Sequence, residues 1–141
     1  MKMEFTVSQK IFFAVAFIVI AVIGFMVKLP SGFRHIDKEL HALFYFLAAA
    51  VLNFLFAGTK ILLHVIVFIS LYLFGVGIEF GQQYSNRFFR NRIHGRFDAE
   101  DLQWNLKGLI AFTIVWLLYT VITSVYRRNA VKEKRYKSEL H

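Results

Sequence analysis

The sequence predicts an all-α fold: an integral membrane bundle of four transmembrane helices with a polar cluster at one membrane interface. Three observations carry this expectation. Hydrophobic residues make up 57% and aromatic residues 18% of the 141-residue chain, with a mean hydropathy of +0.53, far more apolar than a soluble domain of this size. The apolar residues gather into four runs free of Asp, Glu, Lys and Arg, at 11–27, 40–56, 61–78 and 109–126. At ~1.5 Å per residue, each run with its flanks crosses a ~30 Å hydrocarbon core as a helix. Finally, the carboxylates, amides and one imidazole collect at the ends of three of these runs.

Composition also excludes several functions. Seventeen Lys and Arg against nine Asp and Glu leave a net charge of +8. In a membrane chain such an excess marks loops at anionic lipid surfaces rather than nucleic-acid binding, so no nucleic-acid partner is expected. The chain has no cysteine, which rules out disulfides, thiolate catalysis and thiolate metal sites.

The first span, 11–27, follows Lys2 and Lys10. A basic start and apolar middle also describe a signal peptide, but the run is long for one. Lys28-Leu29-Pro30 stands where small residues would be cleaved, so an uncleaved anchor is expected. Pro30, the single proline, makes a turn with Ser31 and Gly32, and Asp37 is the candidate N-cap of the second span, 40–56. Ala57-Gly58-Thr59-Lys60 alone separates that span from the third, 61–78, so the two form a tight antiparallel hairpin. A polar loop over 84–95 carries Arg87, Phe88, Phe89, Arg90 and Arg92. Asp98 is the candidate N-cap of the last helix, with Asp101 answering it as in a capping box. That helix starts near Ala99 and runs into the fourth span, 109–126. The basic tail, 127–141, alternates charges and is expected to be a frayed helix or disordered. Residues 1–141 form one domain, with no internal repeat.

Four spans place both termini and the Gly58-Thr59 turn on one side, and the 28–39 and 84–98 loops on the other. The positive-inside count is nine on the terminal side against eight on the loop side. Six of the nine follow directly on the fourth span, so both termini are predicted to be cytoplasmic.

Because helices alternate direction, the start of the second span, the end of the third and the start of the fourth meet one surface. On the second, Asp37, His41 and Tyr45 recur every four residues and share a face, with Lys38 beside them. On the third, Glu79 and Gln82 follow Gly75 and Gly77, which allow close helix approach. The fourth is entered through Arg96, Asp98, Asp101, Asn105 and Gly108. Each piece has a purely structural reading: Asp37 and Asp98 as caps, Tyr45 as an interfacial belt residue, Asn105 as helix glue, the glycines as packing notches. His41 and Glu79 resist it, because ionisable groups at the membrane edge pair with one another or mark function. His64 and Asn53 lie away from this surface and read as helix-packing contacts.

The cluster holds hard oxygen and imidazole donors of the kind that suit a divalent cation or acid–base work. It lacks a nucleophile setting, a paired-histidine motif and a glycine-rich phosphate loop. Arg96, Lys38 and the basic loop suit a phosphate or other anionic head group. Binding of an amphiphile therefore fits better than any named reaction, and neither a metal nor a cofactor is assigned. The alternatives are an intramembrane enzyme acting on a phosphorylated lipid, and a structural subunit of a larger membrane complex.

Taken together, Asp37-Lys38 with His41 and Tyr45, Glu79-x-x-Gln82, and Arg96-x-x-x-x-Asp101-x-x-x-Asn105-x-x-Gly108 resemble the VanZ-like membrane proteins, a family associated with resistance to the glycopeptide antibiotic teicoplanin. The likeness covers roughly 29–126, and Asp98 corresponds to a polar position of the family pattern. The chain departs from that pattern in the long segment between Gln82 and Arg96, and in Phe112, where a second small residue is common. The resemblance implies a bacterial cytoplasmic-membrane protein with its motif loops outside and a role in envelope or glycopeptide response. The implied partners are membrane lipids, a lipid-linked envelope precursor or glycopeptide, and other envelope proteins.

The topology is directly testable in this cysteine-free chain. Single cysteines at Ser31 and Ser85 should react with an impermeant thiol reagent from one side, and those at Thr59 and Ser138 from the other. Labelling of positions 31 and 138 from the same side would refute four spans.

Overall fold

The computed structural model describes residues 5–26, 36–88 and 97–139. Four helices follow in order: α1 (Val7–Met26), α2 (Asp37–Leu52), α3 (Ile61–Ser85) and α4 (Ala99–Glu139). A π-helical turn, Asn53–Ala57, continues α2 without a break. No strand occurs among the described residues. Each of the four helices, α2 taken with its π turn, is long and apolar enough to cross a membrane. The chain is an all-α membrane protein.

The helix boundaries follow from local hydrogen bonding rather than from hydropathy. α1 begins four residues before the apolar run because Thr6 and Gln9 cap each other: the Thr6 amide donates to Gln9 Oε1 (2.9 Å) and the Gln9 amide to Thr6 Oγ1 (3.3 Å). Asp37 is not the N-cap of α2. Ile36 occupies that position without a side-chain bond, and Asp37 is the first helical residue, where its charge with that of Glu39 favours the positive end of the helix. At the other end of α2 the Asn53 side chain donates to the Ala49 carbonyl (2.8 Å). The Gly58 amide then reaches back five residues to the Asn53 carbonyl (2.8 Å). Gly58, with φ of 55°, turns the chain into α3.

α3 extends past the expected end at 78 to Ser85, and α4 starts at Ala99, well ahead of its apolar run. The expectation of a frayed or disordered tail is corrected over 127–139, which continues α4. Charges four apart support that continuation, with Lys137 Nζ 2.7 Å from Glu133 Oε1. At 41 residues, α4 is ~60 Å long, about twice the hydrocarbon thickness.

α2 and α4 run in the same direction and form the tightest pair, with α3 antiparallel to both. Tyr45, Ala48 and Ala49 of α2, Leu71 of α3, and Leu109, Phe112 and Trp116 of α4 make the core. The closest approach is at Gly108, where a β-carbon would meet the carbonyl oxygen, carbonyl carbon and Cα of Ala42. α1 sits outside this trio. It buries Ala21, leans Phe17 and Phe25 on Phe44 (ring centroids 5.1 and 4.8 Å), and receives a hydrogen bond from Gln82 to the Phe25 carbonyl (2.9 Å).

At the hairpin end lies a polar node of its own. His64 Nδ1 donates to Asn53 Oδ1 (2.8 Å), Nε2 meets Thr113 Oγ1 (3.2 Å), and the ring stacks on Trp116 at 4.0 Å. The Trp116 indole in turn donates to the Gly58 carbonyl (2.8 Å). Every polar atom of the imidazole is used within the bundle.

Gly108→Ala should destabilise the protein by about 3 kcal/mol, since the backbone of Ala42 must give way to the added methyl. Gly77→Ala, where a β-carbon meets nothing within 4 Å, should be neutral or stabilising by ~0.5–1 kcal/mol. Unfolding of both variants in detergent micelles checks the pair, and equal stability of the two would refute the Gly108–Ala42 contact.

Candidate functional site

The end of the bundle opposite the hairpin gathers side chains from α2, α3 and α4. The α2–α4 register set at Gly108 places His41 against Asn105, one turn nearer the helix starts. His41 Nδ1 lies 2.9 Å from Asn105 Oδ1. An amide oxygen only accepts, so Nδ1 donates to it and Nε2 is the ring nitrogen left for another partner. That nitrogen faces Asp101 Oδ2 at 4.0 Å. Asp37, at the head of α2, completes a group whose donor atoms all lie within 4.8 Å of one another. His41 and Asn105 are buried, while Asp37 and Asp101 are half-buried and open towards the surface.

Glu79 arrives from α3 and is 1% exposed. Its Oε2 accepts the backbone amide of Asp98 (3.0 Å), which is the donor that Asp101 was expected to satisfy. Asp98 does cap α4, accepting the Glu100 amide on Oδ1 (2.8 Å). The reciprocal half of the capping box is thus supplied by another helix, and Asp101 is freed to face His41. Glu79 Oε1 is buried and has no hydrogen-bond partner among the described residues. His41, Asp98 and Asp101 are all within electrostatic reach of this carboxylate.

The remaining predicted residues take different places. Tyr45 is fully buried one turn below His41, and a β-carbon at Gly75 would lie 2.7 Å from its hydroxyl and 2.8 Å from Asn105 Nδ2. Gly75 therefore lets α3 close over the phenol and the amide. Lys38 forms an ion pair with Glu100 at the rim, across the heads of α2 and α4. Both side chains are more than a third exposed, so solvent screens the pair. Gln82 faces α1 rather than His41 and ties the end of that helix to α3. Arg96 lies outside the described residues, as do Arg90 and Arg92.

Two participants escape the sequence reading. Glu100 is indistinguishable there from any acid in a first helical turn, and only the α2–α4 pairing presents it to Lys38. Phe25, an apolar residue at the end of an apolar run, lies over the His41 ring at a centroid distance of 4.7 Å and touches Tyr45 at 6.1 Å. Nothing in its sequence surroundings signals that position. The described site is thus rich in carboxylates, with one imidazole held in a single orientation and an aromatic lid from α1.

The His41–Asn105 bond should appear as energetic coupling. His41→Ala and Asn105→Ala should each destabilise by ~1–3 kcal/mol, because each strands a buried polar partner, and the double variant should cost little beyond the worse single one. Unfolding midpoints in micelles measure the cycle, and clean additivity would show that the two side chains do not interact. Comparisons with protein-family models, curated proteins and solved structures return no match to this chain.

Proposed function

We propose that the chain is a VanZ-like protein of the bacterial cytoplasmic membrane that binds an amphiphilic envelope ligand, with both termini cytoplasmic and the polar cluster facing outward. The observation that carries this reading is an apolar cleft of about 330 Å³ between α1 and α2, lined by Ile20, Gly24 and Phe25 on one side and Leu40, Leu43 and Leu47 on the other. The cleft ends at Phe25, the same ring that lies over His41. An acyl or prenyl chain in the cleft would bring its head group to the cluster. The residue pattern from Asp37 to Gly108 supports the family reading, and with it a role in the envelope or in glycopeptide response.

The chemistry of the described cluster selects among head groups. Carboxylates at Asp37, Asp98, Asp101 and Glu79 accept hydrogen bonds and repel bare anions. A head group rich in hydroxyl or amine donors, as in a lipid-linked sugar precursor, matches them. A purely anionic head group would depend on Arg96 and its neighbouring arginines.

Equilibrium binding to the delipidated protein in nanodiscs tests this, with a long-chain glycolipid compared against phosphatidylcholine, which has no head-group donor. The glycolipid should bind more tightly. Gly24→Leu, which fills the cleft where a β-carbon meets nothing within 4 Å, should weaken both lipids. Asp101→Asn should abolish the preference alone, by roughly 10–100-fold for a charge-assisted hydrogen bond. Absence of preference in the unaltered protein, or insensitivity to Gly24→Leu, refutes the proposal.

A further inference from the structure

We propose that Asp37, His41 and Asp101 form a binding site for a divalent transition-metal ion, with Zn2+ as the representative cation. Three independent features of the cluster converge on it. The first is geometry: one imidazole nitrogen and two carboxylates, from two different helices, present donor atoms within 4.8 Å of one another. Two donors on a tetrahedral Zn2+ ion lie about 3.4 Å apart at bonds of ~2.1 Å. The Nε2–Oδ2 pair of His41 and Asp101, at 4.0 Å, would have to close by about 0.6 Å to reach that separation. Asp37, half-buried at the first position of α2, is the third donor, and its side chain would have to turn inward to complete the set.

The second feature is the orientation of His41. Its Nδ1–H is consumed by Asn105, so Nε2 is the nitrogen aimed at the Asp101 carboxylate. An imidazole nitrogen and a carboxylate facing each other can share a proton or a metal ion, and the nearby carboxylate of Asp37 completes a ligand set for the latter. A ligating histidine characteristically donates its other ring nitrogen to an oxygen acceptor, which fixes tautomer and direction. Asn105, 1% exposed, is that acceptor here. His64 gives the internal contrast: its second nitrogen meets a hydroxyl rather than a carboxylate.

The third feature is Glu79. Its buried Oε1 has no partner among the described residues, and the side chain stands within electrostatic reach of His41 and Asp101. An unpaired carboxylate oxygen at this depth is costly unless positive charge lies close by. A divalent ion held by the three ligands supplies it. The mixed imidazole and carboxylate donor set favours Zn2+ or Mn2+ over Mg2+, which prefers oxygen donors alone.

The inference rests on the side-chain cluster and not on the amphiphile reading, so it can be tested with no lipid ligand present. The full chain, purified in detergent and stripped with a chelator, is titrated with Zn2+, Mn2+ and Mg2+ by calorimetry, and bound metal is counted after dialysis. One Zn2+ per chain is expected, with Mg2+ much weaker, and Zn2+ should raise the thermal midpoint. Asp101→Asn should lose at least tenfold in Zn2+ affinity and lose the thermal shift, although its metal-free midpoint reports a folded protein. Asn105→Ala, which frees the ring without removing a ligand, should lose 10–100-fold. His64→Ala should bind as the unaltered chain does. Failure to saturate with Zn2+, or an affinity unchanged by Asp101→Asn in a folded variant, overturns the site. Equal weakening by His64→Ala would instead assign the binding to adventitious histidine contacts, and overturns it as well.

Discussion

The bundle depends on the contact between Gly108 and the backbone of Ala42. Lipid offers helices little hydrophobic reason to associate, so close packing of small residues has to supply the attraction and the register together. Ala48 and Ala49 continue the small-residue surface of α2, and Leu109, Phe112 and Trp116 of α4 fill the space beyond it. Sliding α4 by one turn would put a larger side chain against Ala42 and separate His41 from Asn105. Because α2 and α4 run parallel, α3 must cross back between their hairpin and loop ends, and its direction alone delivers Glu79 to the same surface. A single methyl-sized vacancy therefore positions polar groups on three helices.

The two histidines show how one device serves two ends. Each has Nδ1 held by an asparagine carbonyl from a neighbouring segment, Asn105 for His41 and Asn53 for His64. The hairpin-end ring is then closed off by Thr113 and the stacked indole of Trp116. The other ring is covered on one side by Phe25 but opens on Asp101 and Asp37. The asparagines do the same orienting work. What distinguishes the ends is the group offered to the second nitrogen, and that difference separates a packing contact from a site with chemistry left over.

Four apolar runs are legible because lipid demands them, and the spacing of Asp37, His41 and Tyr45, or of Asp101, Asn105 and Gly108, is legible because a helix demands it. The stripe on α4 does face α2. Legibility fails where one helix completes another. Asp98 and Asp101 read as a self-contained cap, since the sequence around them holds both partners, yet Glu79 is better placed in space. Asp37 reads as a cap because acids favour helix starts at several positions and the pattern does not separate them. Thr6 and Gln9 go unread for the opposite reason: they sit outside the apolar run that drew the boundary. The charged end of α4 reads as a tail because its stability lies in contacts along the helix rather than in burial. Phe25 over His41 is invisible, since a helix attached only at its edge leaves no periodic trace of where its last ring falls.

The cap that Glu79 places on α4 also orders events in time. A helix whose first amides are satisfied by its own residues can form as soon as it leaves the ribosome, whereas the amide of Asp98 finds its acceptor on a span made earlier. Until that span is in place the start of α4 is incomplete, and until α4 arrives the Glu79 carboxylate lacks the donor that helps offset its burial. Synthesis from the amino end presents the acceptor before the donor. The polar cluster is thus complete only once the last span is present.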